Sequence, residues 1–290
     1  MVKITKEVVE KLIKDQFPKW AYLDIKPVEK SGHDNRTFHL GDEMTIRLPS
    51  GEDYVAQIEK EIQWLPKLKP FITLQISSPI AKGKPNSEYP FPWSINKYIE
   101  GETATYDKIH DLNKFAVDLG LFLKELHKID TTDGPIAGKH NFYRGGDLKI
   151  YNSETEVALE NLKDILPIEE LHYIWIQAIS SKWENENVWI HGDIAPGNLL
   201  VKNGALCGVI DFGIMAVGDP SCDYAMAWTF FDKNIRKAFF NTLECDENTI
   251  NRARGWALWK ALITYFDKNI EVANNARFTI QSIIEELNIK

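Results

Sequence analysis

The stretch His191-Gly192-Asp193-Ile194-Ala195-Pro196-Gly197-Asn198, followed by Ile210-Asp211-Phe212-Gly213, constrains this chain more than any other feature. Between the two lie the apolar runs Leu199-Leu200-Val201 and Leu206-Cys207-Gly208-Val209-Ile210, separated by Lys202-Asn203-Gly204-Ala205. Asn-Gly between two apolar runs is a strong signal for a tight hairpin. The pattern predicts that Asn198 opens one strand and Asp211 closes the other, at the same end of the hairpin. The amide oxygen of Asn198 and the carboxylate of Asp211 are hard donors of the kind Mg²⁺ takes, with phosphate oxygens and waters completing the shell. Asp193 is a carboxylate able to accept a hydrogen bond from a substrate hydroxyl. Either motif alone is weak; the two in this order, joined by a hairpin pattern, are specific. His191 has no second His or Cys at ligand spacing and reads as structural.

Upstream, residues 26–30 and 37–40 read as strands, and the connector 31–36 holds Ser31 and Gly32 among small polar residues suited to a turn. Residues 44–49 read as a further strand containing Arg47, which is either a phosphate clamp or an exposed cation of an edge strand. Residues 53–68 read as a helix, because Val55, Ile58, Ile62 and Leu65 recur at helical spacing. Glu59, Lys60 and Glu61 lie within it, Glu59 and Lys60 as solvated charges. Residues 79–92 carry Pro79, Pro85, Pro90 and Pro92 and read as irregular. Residues 93–99 read as a strand broken by Glu100-Gly101-Glu102. From Asp111 the pattern becomes helical, with Leu112, Phe115, Leu119, Phe122 and Leu126 on one face. The Gly-, His- and aromatic-rich stretch 136–147 reads as a loop with no clear chemistry. Residues 153–181 read as helical and 188–190 as a strand leading into His191. Asp219 is placed to cap a helix that Pro220 begins. Residues 248–289 read as helical, and their aromatics, Trp256 and Trp259 among them, read as core rather than ligand platform.

With these residues in this order the chain resembles the aminoglycoside phosphotransferase family, over nearly its whole length and most sharply from Trp189 to Asp223. The resemblance implies a two-lobe protein-kinase-like α+β fold: an N-terminal nucleotide-binding lobe of antiparallel sheet plus helix over 1–99, and a larger, mainly helical catalytic and acceptor-binding lobe over 100–290. It implies that Asp193 is the catalytic residue, orienting and deprotonating the acceptor hydroxyl, and that Asn198 and Asp211 bind Mg²⁺. Ser31 and Gly32 fall in the phosphate-covering loop. Arg47 stands where the family's phosphate-pairing Lys is usual, with Glu61 rather than Glu59 as its partner. Lys97 to Ile99 corresponds to the joining strand that holds the adenine edge. His191, and His127 at the end of Leu119-Gly120-Leu121-Phe122-Leu123-Lys124-Glu125-Leu126-His127, correspond to structural positions, and Asp219 and Asp223 to braces of the catalytic loop. The departures are His-Gly-Asp for the His-Arg-Asp of protein kinases, Arg47 for Lys, and a Gly-poor phosphate loop. No A-P-E segment follows Phe212-Gly213, which sets the chain apart from protein kinases. The resemblance implies ATP or GTP as donor and a small hydroxylated acceptor, an aminoglycoside-type antibiotic. The alternatives are a metabolic kinase of choline, homoserine, methylthioribose or fructosamine type, or a degenerate kinase that binds nucleotide without transfer.

Composition narrows the partners. The 290 residues carry a formal net charge of −8 and are 44% hydrophobic. That balance supplies a core and argues against a nucleic-acid partner, which wants a basic stripe. No apolar run reaches the roughly 18 residues of a membrane span, and the N-terminus enters a charged amphipathic helix without signal-peptide character. Cys207, Cys222 and Cys245 give an odd count without CxxC spacing, as expected in a reducing cytoplasm, and the protein is expected to be a monomer.

Overall fold

The computed structural model describes residues 3–29, 32 and 34–287. Along the chain run α1 (Lys6–Gln16), β1 (Ile25–Pro27), β2 (Asn35–Leu40), β3 (Met44–Pro49), α2 (Val55–Leu68), β4 (Gln75–Ile76), β5 (Pro79–Gly83), β6 (Trp93–Lys97) and β7 (Glu102–Thr103). There follow α3 (Leu112–His127), α4 (Asn152–Asn161), α5 (Ile168–Ser180), β8 (Val188–Ile190), β9 (Leu199–Lys202), β10 (Ala205–Val209), β11 (Ala216–Gly218), α6 (Met226–Thr229), α7 (Lys233–Leu243), α8 (Glu247–Ile263) and α9 (Ile270–Leu287). The chain divides into two compact units, Met1–Glu102 with Cys207–Gly213, and Thr103–Leu206 with Ile214–Lys290.

The first unit is built on an antiparallel five-stranded sheet of order β1-β2-β3-β6-β5. Strand alternation sends neighbouring side chains to opposite faces, and here each face has its own helix. Ile46 and Leu48 of β3, with Trp93 and Ile95 of β6, join Val9, Leu12 and Ile13 of α1 in one buried cluster. Arg47, between Ile46 and Leu48, pairs instead with Glu61 of α2. Alternation thus separates a dry core from a charged face. The C-terminal part of β10 pairs in parallel with β4, Gly208 opposite Gln75 and Val209 opposite Ile76.

The second unit is mainly helical. α8 packs on α5, α9 and α4, and α3 packs on α7. Three of its helices, α3, α7 and α8, begin on side-chain caps: Asp111 accepts from Lys114 N, Asp232 from Asn234 N and Ile235 N, and Asp246 from Thr249 N. Each satisfies first-turn donors that would otherwise go unbonded. A short antiparallel pair, β8 with β11, sets Ile190 opposite Ala216 immediately before His191.

Several expected boundaries differ. The proline-rich 79–92 contains a strand: β5 sits at the sheet edge, where a first-position Pro79 costs no ladder bond. The strand from Trp93 stops at Lys97 rather than Ile99. Residues 153–181 hold two helices parted by residues 162–167, and of the expected 248–289 the described part, to 287, holds two helices parted by residues 264–269. Lys60, expected in solvent, is buried. Among the described residues no helix is long and apolar enough to cross a membrane.

Candidate functional site

In the first unit three of the anticipated residues meet. Arg47 Nη1 donates to both carboxylate oxygens of Glu61 at 2.7 Å, and Nη2 donates to Asp211 Oδ1 at 2.8 Å. Burial disfavours the Arg47 charge, but the two carboxylates outweigh it and hold the guanidinium above its ordinary range. Burial pushes the Glu61 carboxyl up, opposed by Arg47 and by a hydrogen bond from the Phe212 backbone. Glu61 therefore fastens both Arg47 and the Asp-Phe-Gly segment. Phe212 is fully buried, whereas the Asp211 side chain is 45% exposed, with Oδ2 left over from the arginine contact. Asp211 has φ +64°, a left-handed conformation that turns its carboxylate out of the line of β10. Glu59 lies instead beside Lys82 on the surface, 4.0 Å away.

The other nucleotide candidates make no hydrogen bond to this cluster among the described residues. Ser31 lies outside the described residues. Gly32 lends its carbonyl to Arg36 Nη1 at 2.9 Å, and Asp34 accepts from Gln57 of α2 at 3.2 Å. Lys97 donates its N–H to Ser78 O and Tyr98 to Glu43 O, so in the joining segment Ile99 N–H is the one without a backbone acceptor among the described residues. Ser94 and Asn96 were not singled out by sequence. Both are buried polar residues on β6, alternating with the apolar Trp93 and Ile95, and Ser94 sits opposite Arg47 in the sheet. Polar residues at every second strand position were the available signal.

In the second unit, Asp193 and Asn198 form a separate arrangement. Asn198 Nδ2 donates to the Asp193 carbonyl and to Asp193 Oδ2, both at 2.9 Å. With the amide nitrogen on Asp193, the amide oxygen of Asn198 is not used in this contact. The loop itself hangs from a fully buried carboxylate: Asp223 accepts from His191 N and Gly192 N, both at 2.7 Å. Burial raises the Asp223 carboxyl, and His191 and the two backbone donors oppose the rise. His191 Nδ1 accepts from Asp193 N at 3.2 Å, so this histidine shapes the turn from beneath. Gly192 has φ +86°, and a Cβ there would lie 2.6 Å from Ile214 O, which accounts for Gly where protein kinases carry Arg. Asp219 is held by Arg252 Nε at 2.6 Å and caps Ser221. His127 is half-buried, and desolvation drops its imidazole to about 4.

Asn203 and Gly204, both at positive φ, form the turn between β9 and β10. The chain passes from one unit to the other within β10, so Asn198 belongs to the second and Asp211 to the first. Taken each in its own unit, the Asp211 carboxylate oxygen outside the arginine contact and the Asn198 amide oxygen are hard donors of the kind Mg²⁺ takes. Among the described residues no group of three or more His, Cys, Asp or Glu forms a metal cluster, and a magnesium site completed by phosphate oxygens does not need one.

Sequence reasoning missed Arg144 and Lys260, both in the second unit. The Arg144 guanidinium lies 5.1 Å from the ring centroids of Trp256 and of Trp259, and the Lys260 ammonium 5.8 Å from that of Trp259. The signal was Phe142-Tyr143-Arg144-Gly145-Gly146, set aside as a loop.

Comparison with known proteins agrees with this arrangement of motifs. An Escherichia coli aminoglycoside 3'-phosphotransferase is 24% identical over 169 residues, covering 55% of this chain and 61% of that protein. The chain therefore aligns with less than two thirds of the length of the curated relatives it matches first. Over 98% of its length it superposes on the GDP complex of wild-type aminoglycoside 2'-phosphotransferase-IIIa, with a TM-score of 0.70, 18% identity and 100% of that chain covered. A macrolide 2'-phosphotransferase from Brachybacterium faecium superposes over 95% of this chain and 98% of its own, with a TM-score of 0.61 and 17% identity. These structures share the kinase-like α+β fold. A model of the phosphotransferase enzyme family matches residues 24–260, and the chain belongs to that family.

Proposed function

We propose that this protein transfers the γ-phosphoryl group of ATP or GTP to a hydroxyl of a small molecule. The observation that carries the reading is the placement of Asp193. It is an exposed carboxylate on a loop whose backbone is gripped by buried Asp223, with one oxygen held by Asn198. Phosphoryl transfer asks for positioning and charge neutralisation more than covalent help. Asp193 accepts the hydrogen bond of the acceptor hydroxyl and aims its oxygen at the γ-phosphorus. As the new O–P bond forms and the bond to the β–γ bridging oxygen breaks, the acceptor proton passes to Asp193 and the nucleoside diphosphate leaves. Arg47, kept in place by Glu61, binds donor phosphates, and Ile99 offers its N–H to the base. Ser31 and Gly32 cover the phosphates. Asn198 and Asp211 hold Mg²⁺, which when bound supplies positive charge to the phosphate oxygens. We assign the nucleotide to the lobe spanning 1–99 and the acceptor to that spanning 100–290. All three cysteines are free thiols, which suits a monomer working in a reducing cytoplasm.

Two acceptor classes follow. The names of the relatives bring the first, aminoglycoside-type antibiotics. A specific observation favours the second, a metabolic alcohol: the Lys260 ammonium feels the Asp193 charge and shares the Trp259 ring with the Arg144 guanidinium. The test is release of ADP or GDP with Mg²⁺ against aminoglycosides, macrolides and small metabolic alcohols, with Asp193→Asn as control. Acceptor-dependent release that disappears in Asp193→Asn is the expected result. Mg²⁺-dependent nucleotide binding without release from any acceptor would sink the transfer reading and leave a degenerate kinase.

A further inference from the structure

The loop that carries Arg144 is held under strain. Phe142 and Tyr143 both have φ +54°, two consecutive aromatic residues in a left-handed region that side chains disfavour. The surroundings enforce it. Buried Asn141 accepts from Gly138 N at 2.9 Å and donates to Arg144 O at 2.8 Å, and Tyr151 Oη donates to Phe142 O at 2.6 Å. Gly145 leans on the strand that leads into the catalytic loop: a Cβ there would meet Ile190 at 2.5 Å. Arg144 is therefore fixed beside the end of β8.

Its side chain rests on an aromatic platform. Trp259 stacks on Tyr151 at 3.8 Å between centroids and donates its indole N–H to Glu154 at 2.7 Å. Arg144 and Lys260 lie over this same indole. Neither forms an ion pair or a side-chain hydrogen bond among the described residues, although Arg47, Arg236, Arg252 and Arg254 all sit against carboxylates. The protein has 42 acidic residues against 34 basic ones, so carboxylates were available. Burial and Arg144 hold the Lys260 ammonium below the ordinary lysine range, while Asp193, Glu154 and Asp267 pull the other way. Two cations over one indole, with the nearby carboxylates acting only from beyond ion-pair contact, leave donors open that a bound anion can take.

We propose that Arg144 and Lys260 form an anion-binding subsite for the acceptor, so that the hydroxyl offered to Asp193 belongs to a molecule carrying a carboxylate or phosphate group rather than to a polyamine. The fork of Arg144 supplies paired donors for either anion, and Lys260 a point charge. This rests on the phosphotransferase reading, and deepens it by naming the acceptor's charge.

The test titrates the nucleotide-free protein with glycerol 3-phosphate, a short hydroxy acid, inorganic phosphate, uncharged glycerol and kanamycin. It repeats the series with Arg144→Gln, Lys260→Gln and Arg144→Lys. The expected result is binding of the anionic probes over glycerol and kanamycin, weakened at least about tenfold by either Gln variant and partly restored in Arg144→Lys. A carboxylate preferred over phosphate, or the reverse, identifies the anion. Kanamycin bound more tightly than the anions overturns the proposal, as does anion binding that neither Gln variant changes, an adventitious ion only. In steady state, a rise in nucleotide KM as large as that in acceptor KM assigns the cations to the donor and also overturns it. If Arg144→Gln does not fold, the wild-type charge series decides. The transfer reading fails separately, through absent Mg²⁺-dependent ADP release from every probe while anion binding stays intact.

Discussion

Two clusters of acidic residues hold their places by opposite means. Around Arg47 the charges are buried and compensate one another: Glu61 is 1% exposed and both its oxygens face one guanidinium nitrogen. Around Asp193 the carboxylate is exposed and is positioned by an amide and by the backbone, whose N–H groups end on Asp223. The difference teaches where damage should appear. Removing one member of a buried charge set strands its partner in low dielectric and costs stability. Removing an exposed, backbone-aimed carboxylate should cost little stability, and under the proposed function its loss should show in turnover.

The sharpest test of this contrast is Asp193→Asn. Turnover should fall by roughly 10²–10⁴-fold, the usual share of general-base catalysis, while unfolding free energy changes by no more than about 0.5 kcal/mol, as at most surface sites. Coupled ADP-release kinetics and urea denaturation measure the two. A large loss of stability would erase the distinction between the clusters.

Glu61→Gln should do the reverse. It leaves Arg47 with the half-exposed Asp211 as its remaining carboxylate and should cost about 3–5 kcal/mol of stability. Nucleotide KM should rise as well. An unchanged denaturation midpoint would show that Asp211 alone compensates the guanidinium.

Gly192→Ala probes the backbone side of the comparison. Left-handed φ costs roughly 1–2 kcal/mol per residue for a side-chain-bearing position, and the added methyl meets Ile214 O at 2.6 Å. Thermal unfolding should register a loss of about 2–4 kcal/mol, with a fall in kcat as Asp193 is displaced.

The smallest expected effect is a pH dependence in the buried cluster's neighbourhood. Burial lowers the Lys60 ammonium to about 8, against Glu61, which favours its charge. Between about 8 and an ordinary lysine value of about 10.4, the unfolded chain holds this proton and the folded chain does not. Stability at this site therefore rises with pH across that window, and the cost of burying the charge is full below it. Lys60→Met should stabilise the protein at pH 7 by about 1–3 kcal/mol and lose that advantage by about pH 10.5. Chemical denaturation at the two pH values would show it; an equal gain at both would place the Lys60 charge in solvent.

Local patterns were legible where one residue type has one plausible structural use. Asn203-Gly204 makes its turn because both positions sit at positive φ, and Asp219 caps because a short acceptor before a helix serves the first-turn donors. Glu61 was preferred to Glu59, and the structure brings Glu61 to Arg47. Boundaries were less legible, since Pro79 reads as a breaker in sequence and is harmless at a sheet edge. Lys60 was misread because helical spacing does not say how deep a flank is covered.

By itself the sequence determined the order of the candidate site's elements: Asp193, then Asn198, then a tight turn, then Asp211 before Phe-Gly. These relations span few residues and depend on local conformation and donor chemistry. The tertiary structure decided what no spacing could carry. Arg47 meets Asp211 across 164 residues, Asp223 reaches back 32 residues to hold the His191 backbone, and Arg144 finds the Trp256 and Trp259 rings of a late helix. Such pairings have no period in the chain, because they are chosen by packing, by burial and by the need of each enclosed charge for a partner.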